Sequence, residues 1–368
     1  MTDLPCQRAL FDIPAGVTYL NAAAMTPIPK SGRIAGEAGV FAKVQPWRID
    51  RQEGVARTER IRAKVAALIG ATADDIALTG ATSYGVSTAA LNLPIPPGSR
   101  ILTLAGEHSS QVLPWQKRAT ETNASIEEVA RPADNDWAAA ILQALNRPGA
   151  PAVSVAALSP SHWTDGSRVD LDRVAPALRA AGAALVIDAT QGVGVLDLDV
   201  GRIKPDFMAF PTYKWILGPY SFGFLYAAPW RQDGVPLEHH ENSRSGGDFM
   251  PGARRYDLGE RNNMILLPIV EAGLDTVLGW GRDRLAARLR TLTDRVAHGA
   301  AALGLTAPAD RIPQAIGLTL PAGTLEPMIA RLTAHGIHVA ARGGVLRVSP
   351  HGYNDEADID RLVGALKS

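Results

Sequence analysis

Cysteine is nearly absent from this chain of 368 residues: Cys6 is the only one. A single thiol excludes a disulfide within the chain and any metal site built from clustered cysteines, and it fits a reducing compartment. Although 46% of the residues are hydrophobic, no run reaches the length of about 18 apolar residues that a membrane-crossing helix needs. The opening MTDLPCQRALFDIPAG has neither the basic start nor the apolar centre of a signal peptide. Neither charge is in excess, with 37 Lys plus Arg against 37 Asp plus Glu, so the balance points to no nucleic acid and no anionic membrane. A cytoplasmic protein is expected. Several catalytic signatures are also missing. No Gly-x-Ser-x-Gly elbow suggests a serine hydrolase. The EHH at 238–240 lacks the His-Glu-x-x-His spacing of a zinc protease, so no metal is expected. The GVG at 192–194 is too short for the glycine fingerprint of a dinucleotide-binding oxidoreductase.

What is present is an alternation. From about residue 60 to 228, short apolar runs rich in β-formers alternate with helical patterns. VARTERIRAKVAALIG places Ile61, Val65, Leu68 and Ile69 at helical spacing and stops at Gly70. IALTG, RILTLAG, AVSVAAL, ALVIDAT, DFMAF and FGFLYAA read as strands. Runs apolar on both faces and joined through helices predict a mostly parallel sheet covered on both sides. Residues 236–263 are polar and rich in Gly and Arg, and read as a long functional loop or linker. Beyond them come a helical region, AIGLTL, a helix around EPMIARLTAHG, the paired runs HVAAR and GVLRVS, and a last helix after Asn354. The predicted organisation is an N-terminal arm (1–20), a large α/β domain (21–250) and a small C-terminal α+β domain (251–368).

Ligands bind beyond the carboxyl ends of strands in open parallel sheets, so the residues after each run matter. They are Ala81, Thr82 and Ser83 at a helix start; Glu107 and His108; Ser161 and His162; Asp188 with Gln191 one turn on; and Thr212 with Lys214. If the strands are parallel neighbours, these groups share a crevice. Singly, each has an ordinary explanation as a cap, a structural histidine or a snorkelling lysine. Together they describe one chemistry. A lysine in an apolar pocket has a depressed pKa and condenses with an aldehyde. A carboxylate in the same crevice holds a protonated pyridine nitrogen. A helix N-terminus with small hydroxyl residues binds phosphate, and an imidazole can stack on the ring. The set describes a pyridoxal phosphate (PLP) site.

The pieces EHSSQVLPW (107–115), VIDATQGVG (186–194), YKWILGPYSFGFLY (213–226) and LRVSPHGYN (346–354) resemble the class V aminotransferase family of fold type I PLP enzymes. That family includes cysteine desulfurases, kynureninases and isopenicillin N epimerase-like proteins. The resemblance implies a homodimer acting on an amino acid. It implies Lys214 as the lysine condensed with the cofactor and the proton shuttle at Cα, Asp188 on the pyridine nitrogen, Gln191 at the ring hydroxyl and His108 on the ring. Ala81 and Thr82 would hold the phosphate, with Thr212 helping. Asn262 or Asn263, in GERNN, would complete a neighbouring subunit's phosphate site. His162 and Trp163 fall where relatives place a polar residue near the cofactor.

Arg347 and Arg342 match arginines that bind a substrate carboxylate, the natural partner of a bidentate guanidinium. Strand alternation puts Val345, Arg347 and Ser349 on one face and Leu346 and Val348 on the other. Two departures stand out. Pro211-Thr212-Tyr213-Lys214 differs from the Ser-x-His-Lys of cysteine desulfurases and is closer to the Tyr-Lys of kynureninases. Cys6 lies far from the mobile loop that carries a desulfurase's sulfur-accepting cysteine, which argues against a persulfide mechanism. Transamination is the first expectation. A PLP-dependent lyase (β-elimination or C–S cleavage), an amino-acid epimerase and a catalytically silent PLP-fold binding protein are the alternatives.

Overall fold

The computed structural model describes residues 3–367. A short strand β1 (Thr18–Tyr19) precedes helices α1 (Lys30–Val44) and α2 (Arg51–Ile69). Strands and helices then alternate: β2 (Ile76–Thr79), α3 (Thr82–Asn92), β3 (Arg100–Leu104), α4 (Ser109–Thr122), β4 (Ser125–Val129), α5 (Trp137–Leu145), β5 (Val153–Leu158), α6 (Leu171–Ala180), β6 (Ala184–Asp188), α7 (Val200–Ile203), β7 (Phe207–Pro211) and β8 (Gly223–Ala227). After a ribbon of β9 (Arg244–Ser245) and β10 (Asp248–Phe249) come the helices α8 (Leu266–Trp280) and α9 (Arg282–Ala301). The chain closes with β11 (Ile316–Leu318), α10 (Leu325–Ala334), β12 (Ile337–His338), β13 (Ala340–Arg342), β14 (Val345–Val348) and α11 (Glu356–Lys367).

Seven strands form the central sheet in the order β2-β8-β7-β6-β5-β3-β4. The β6–β7, β5–β6, β3–β5 and β3–β4 pairs are parallel, whereas β8 is antiparallel to both β7 and β2. β8 alone therefore runs against the rest, and the carboxyl ends of β2, β3, β5, β6 and β7 all point to one edge. This is the mostly parallel, doubly covered sheet that the apolar runs predict. Alternation along the strands explains the two covers: Ile76 and Leu78 face one hydrophobic cluster with α2 and α6, and Ala77 faces the other with α3 and α4. On the second face α3 lies very close to β7, since a Cβ on Gly85 would come within 2.7 Å of the Ala209 methyl.

The stop of α2 acts as read, with Gly70 ending the helix at φ +69°, and Asp50 caps its first turn by accepting from the amides of Gln52 and Glu53. Near the C-terminus, β11, β14 and β13 form an antiparallel sheet whose inner face packs on α9, α10 and α11 around Leu292, Ile316, Leu346, Val348 and Leu362. The amino-terminal segment is stitched to this unit. β1 pairs parallel with β12, and Thr18 donates its hydroxyl to Asp358 at 2.9 Å.

Residues 236–263, which read as a long functional loop or linker, also contribute to the core. Asp257 is fully buried, accepts from Arg62 Nη1 at 2.9 Å and from the Leu78 amide at 2.9 Å, and forms a second bond with Arg62 Nη2. A carboxylate can enter the interior when a buried guanidinium and a strand-edge amide satisfy it.

Candidate active site

The carboxyl ends of β2, β3, β5, β6 and β7 open onto a cavity of about 380 Å³. Ala81, Thr82, His108, Asp188, Gln191, Lys214, Arg342 and Arg347 all line it. Glu107, Ser161, Trp163, Thr190 and the Tyr213–Tyr220 pair contribute to the same walls.

Lys214 follows β7 in a loop that returns to β8, and local bonds hold that loop tightly. Thr212 donates its hydroxyl to the Pro219 carbonyl at 2.7 Å, and the Gly218 amide donates back to the Thr212 carbonyl at 2.9 Å. Buried Leu217 and exposed Ser221 sit at φ +60° and +61°, left-handed conformations that branched or β-substituted residues adopt only when their surroundings impose them. From outside, Thr26 clamps the backbone, its hydroxyl donating to the Lys214 carbonyl at 2.6 Å. Burial and the nearby Arg347 pull the Lys214 amine down to about 8, against the opposing pull of Asp188. Near physiological pH roughly a tenth to a fifth of this amine is therefore neutral, against about one in a thousand for an ordinary lysine.

Asp188 ends β6. Its Oδ1 accepts from the Thr190 amide at 2.9 Å, and burial pushes its carboxyl up, opposed by Thr190, Lys214 and His108. The following turn joins Thr190 to Thr82 through their hydroxyls at 2.9 Å. Thr82 is the first residue of α3, and the helix lacks a side-chain cap: Ala81 at the N-cap makes no such bond. Its leading amides therefore face the cavity without a side-chain acceptor. Next to them Gly80 has open space where a Cβ would stand. Gln191 lines the cavity but its amide is already engaged. It donates to the Ala23 carbonyl at 3.0 Å and accepts from Trp215 Nε1 at 3.0 Å.

His108 caps α4, with Nδ1 accepting from the Ser110 amide at 3.2 Å. Burial lowers its pKa, so the neutral ring carries its proton on Nε2. The preceding Glu107 carboxyl is pushed up to about 7, mainly by burial, and its Oε2 has no hydrogen-bond partner. The two arginines come from the β13–β14 hairpin. Arg347 is 2% exposed and donates to the Trp163 carbonyl at 2.7 Å; burial and Arg342 lower it to about 10.

Three expected residues are not brought to the cavity wall. His162 points behind it, bonded to Thr164 Oγ1 at 2.7 Å and to the Ala105 carbonyl at 3.1 Å, and stacked on Trp137 at 5.4 Å. Its neighbour Trp163 faces inward instead. Thr212 spends its hydroxyl on the loop. Asn262 lies against α2, its Oδ1 accepting from Thr58 at 2.9 Å. The residues the motif reading passed over include Thr190, which sits between Asp188 and Gln191, and the Tyr213–Tyr220 pair, whose rings are 4.6 Å apart.

The donor set fits the cofactor that the resemblance implies. The cavity pairs an amine whose pKa is lowered to about 8 with a buried carboxylate that makes no ion pair among the described residues, a combination suited to an aldehyde and a pyridinium. An uncapped helix start beside an open glycine suits a phosphate. The buried Ser161 hydroxyl is unpartnered and lines the same space.

Comparisons with known proteins agree with this architecture. A probable cysteine desulfurase of Pyrococcus abyssi is 32% identical over 180 residues, 48% of this chain and 43% of that protein. The isopenicillin N epimerase of Streptomyces clavuligerus is 27% identical over 375 residues, covering 95% of this chain and 94% of the epimerase. Among solved structures, the cystine C-S lyase C-DES, in a variant with glycine covalently linked to the PLP cofactor, superposes with a TM-score of 0.87. That match has 20% identity and covers 98% of each chain, so it speaks for the fold. The family model for class-V aminotransferases matches residues 50–242, the stretch that carries β2 to β8 and with them Asp188 and Lys214. This chain belongs to the class-V aminotransferase family.

Proposed function

We propose that the protein is a PLP-dependent enzyme that removes the Cα proton of an amino acid and then expels a group from Cβ, a lyase rather than a transaminase. The observation that carries the reading is the Lys214 amine, held near 8 by burial, sharing one cavity with the buried Asp188 carboxylate and two guanidiniums. Bound there, PLP supplies an aldehyde for amines and a protonated ring that takes up an electron pair. Asp188 would hold the ring nitrogen, the amides of residues 81–83 would hold the phosphate, and His108 would cover the ring. Lys214 Nζ takes the proton from Cα, and Arg347 orients the substrate carboxylate. Burial raises the Tyr213 phenol to about 12, which keeps it protonated and able to donate to a leaving group.

A lyase is favoured over the transamination expected at first because relatives with matching sequence are named as a cysteine desulfurase and a kynureninase and not as transaminases. A sulfur-relaying desulfurase is disfavoured: Cys6 lies outside the cavity, its thiol against the Tyr353 carbonyl at 3.3 Å. Epimerisation is the second reading, supported by a likeness that runs end to end. The test is direct. Purified protein supplied with PLP turns yellow, and borohydride fixes the cofactor on the peptide carrying Lys214; a colourless protein refutes the reading. Ammonia and keto-acid release then marks elimination. Deuterium uptake at Cα with inversion and no ammonia marks epimerisation.

A homodimer is part of the proposal. The outer face of α1 and the turn after it expose Phe41, Val44 and Trp47, an apolar strip that a second subunit would cover. A phosphate role for Asn262 requires that second subunit. Sedimentation showing a monomer at micromolar concentration would refute both.

A further inference from the structure

The β13–β14 hairpin carries two guanidiniums, not one. Arg342 pairs with Val345 and Arg347 with Ala340, so the two arginines are diagonal neighbours on one face of the ribbon. Such neighbours stand about 7–8 Å apart. Both line the cavity. Among the described residues neither pairs with a carboxylate: Arg347 bonds the Trp163 carbonyl and leaves Nε unpartnered, and Arg342 bonds the carbonyl of the residue before it. Two like charges side by side, one of them nearly inaccessible, are costly unless anions meet them.

Their placement is enforced. The hairpin turns through Gly343 and Gly344 at φ +52° and +82°, and a Cβ on Gly343 would lie 2.7 Å from the Thr164 side chain. The tip is thus seated against the loop that carries Trp163. Of the other groups in the cavity, Asp188 would hold the ring nitrogen and the α3 amides the phosphate, while burial shifts the Glu107 carboxyl toward its neutral form and leaves its Oε2 bonded to neither guanidinium. An α-carboxylate satisfies one guanidinium through a bidentate fork and leaves the other.

We infer that the substrate carries a second carboxylate on its side chain, held by Arg342 while Arg347 holds the α-carboxylate. This rests on the amino-acid reading above and names the substrate class within it: an acidic amino acid, not a neutral one. A dicarboxylate bridges the two guanidiniums across the ribbon, while Lys214 stays free to act at Cα.

The test uses unreactive acids that lack an amine. The PLP-loaded protein is titrated calorimetrically with butyrate, succinate and glutarate. Succinate or glutarate is expected to bind at least about tenfold more tightly than butyrate, about 1.4 kcal/mol. Arg342→Gln should abolish that difference, weakening succinate and glutarate much more than butyrate, whereas Arg347→Gln should weaken all three acids. Arg342→Lys, which keeps the charge and loses the fork, should retain part of the preference and guards against misfolding of the glutamine variant. Equal binding of butyrate and succinate to the wild type overturns the inference. Equal weakening of both by Arg342→Gln overturns it too, because the two arginines would then share one carboxylate. Loss of PLP in that variant would instead place Arg342 on the phosphate. A protein that never takes up PLP fails the proposed function at that earlier step, and the same titration on cofactor-free protein still decides the carboxylate question.

Discussion

Trp163 meets His108 edge-on, ring centroids 5.2 Å apart at 88°. The indole N–H donates to the Gly106 carbonyl at 2.9 Å, and the Trp163 carbonyl accepts from Arg347 at 2.7 Å. One residue thus braces both the imidazole and the buried arginine that line the cavity.

Replacing Trp163 should reveal this brace in steps. Trp163→Phe keeps the edge contact and loses the bond to Gly106, a loss of about 1 kcal/mol or roughly fivefold in kcat/KM. Trp163→Ala also loses the aromatic contact, about another 1 kcal/mol. Steady-state kinetics with the His108 ring followed by NMR checks this. Equal kinetics in all three proteins would reduce Trp163 to a passive wall.

Lys214 makes two pH statements. Its amine becomes the free base through about pH 8, so covalent PLP uptake by cofactor-free protein should rise with pH across that value. Lys214→Ala should show no covalent uptake at any pH. The sign for stability follows from the same depression. Between about 8 and the ordinary 10.5 the folded protein binds fewer protons than the unfolded chain, so stability increases with pH through that window. Thermal melts of the wild type against Lys214→Met measure it: the wild-type advantage should grow from pH 8 to 10.

The Arg62–Asp257 pair is fully buried on both sides. Breaking it from one side leaves the buried charge with only its second partner, Glu59 for Arg62 at 3.0 Å or Arg261 for Asp257 at 3.3 Å, and Asp257→Ala or Arg62→Ala should each cost about 3 kcal/mol, the low end for a buried pair. Urea denaturation midpoints report this. A double replacement by apolar residues should cost much less than the sum of the two.

Thr212 should behave as a loop residue. Thr212→Val leaves the Pro219 carbonyl without its donor and should lower stability by about 1–3 kcal/mol. Thr82→Ala should instead weaken phosphate-bearing ligands, removing the hydroxyl that meets Thr190 at the start of α3. Titration with PLP and denaturation of both variants separates the roles. A larger loss of PLP affinity in Thr212→Val than in Thr82→Ala would reverse the assignment.

Much of this was legible in the chain because strands and their ends follow local rules. Doubly apolar runs predict buried parallel strands, and Asp188 and Lys214 stand just where such runs stop. Period-two alternation separates Arg347, which reaches the cavity, from Leu346 and Val348, which are fully buried in the hairpin's other cluster. The segment from 161 to 166 has no such period. The resemblance points to His162 as the cofactor neighbour, and the fold turns that histidine onto Trp137 and the adjacent indole of Trp163 into the cavity.

What the sequence determined by itself is six of the central strands and the identity of the groups at their ends, since these depend on neighbours along the chain; the edge strand β4, with only one buried residue, carries no such apolar run. Tertiary structure alone decided three things: that Asp257 from a polar stretch is buried against Arg62, that the Gln191 amide is spent on Ala23 and Trp215, and that Arg342 and Arg347 stand side by side without an acid. The physical reason is the same in each case. A polar group's role is set by the partner that reaches it across the fold, and those partners lie too far along the chain for any local pattern to record.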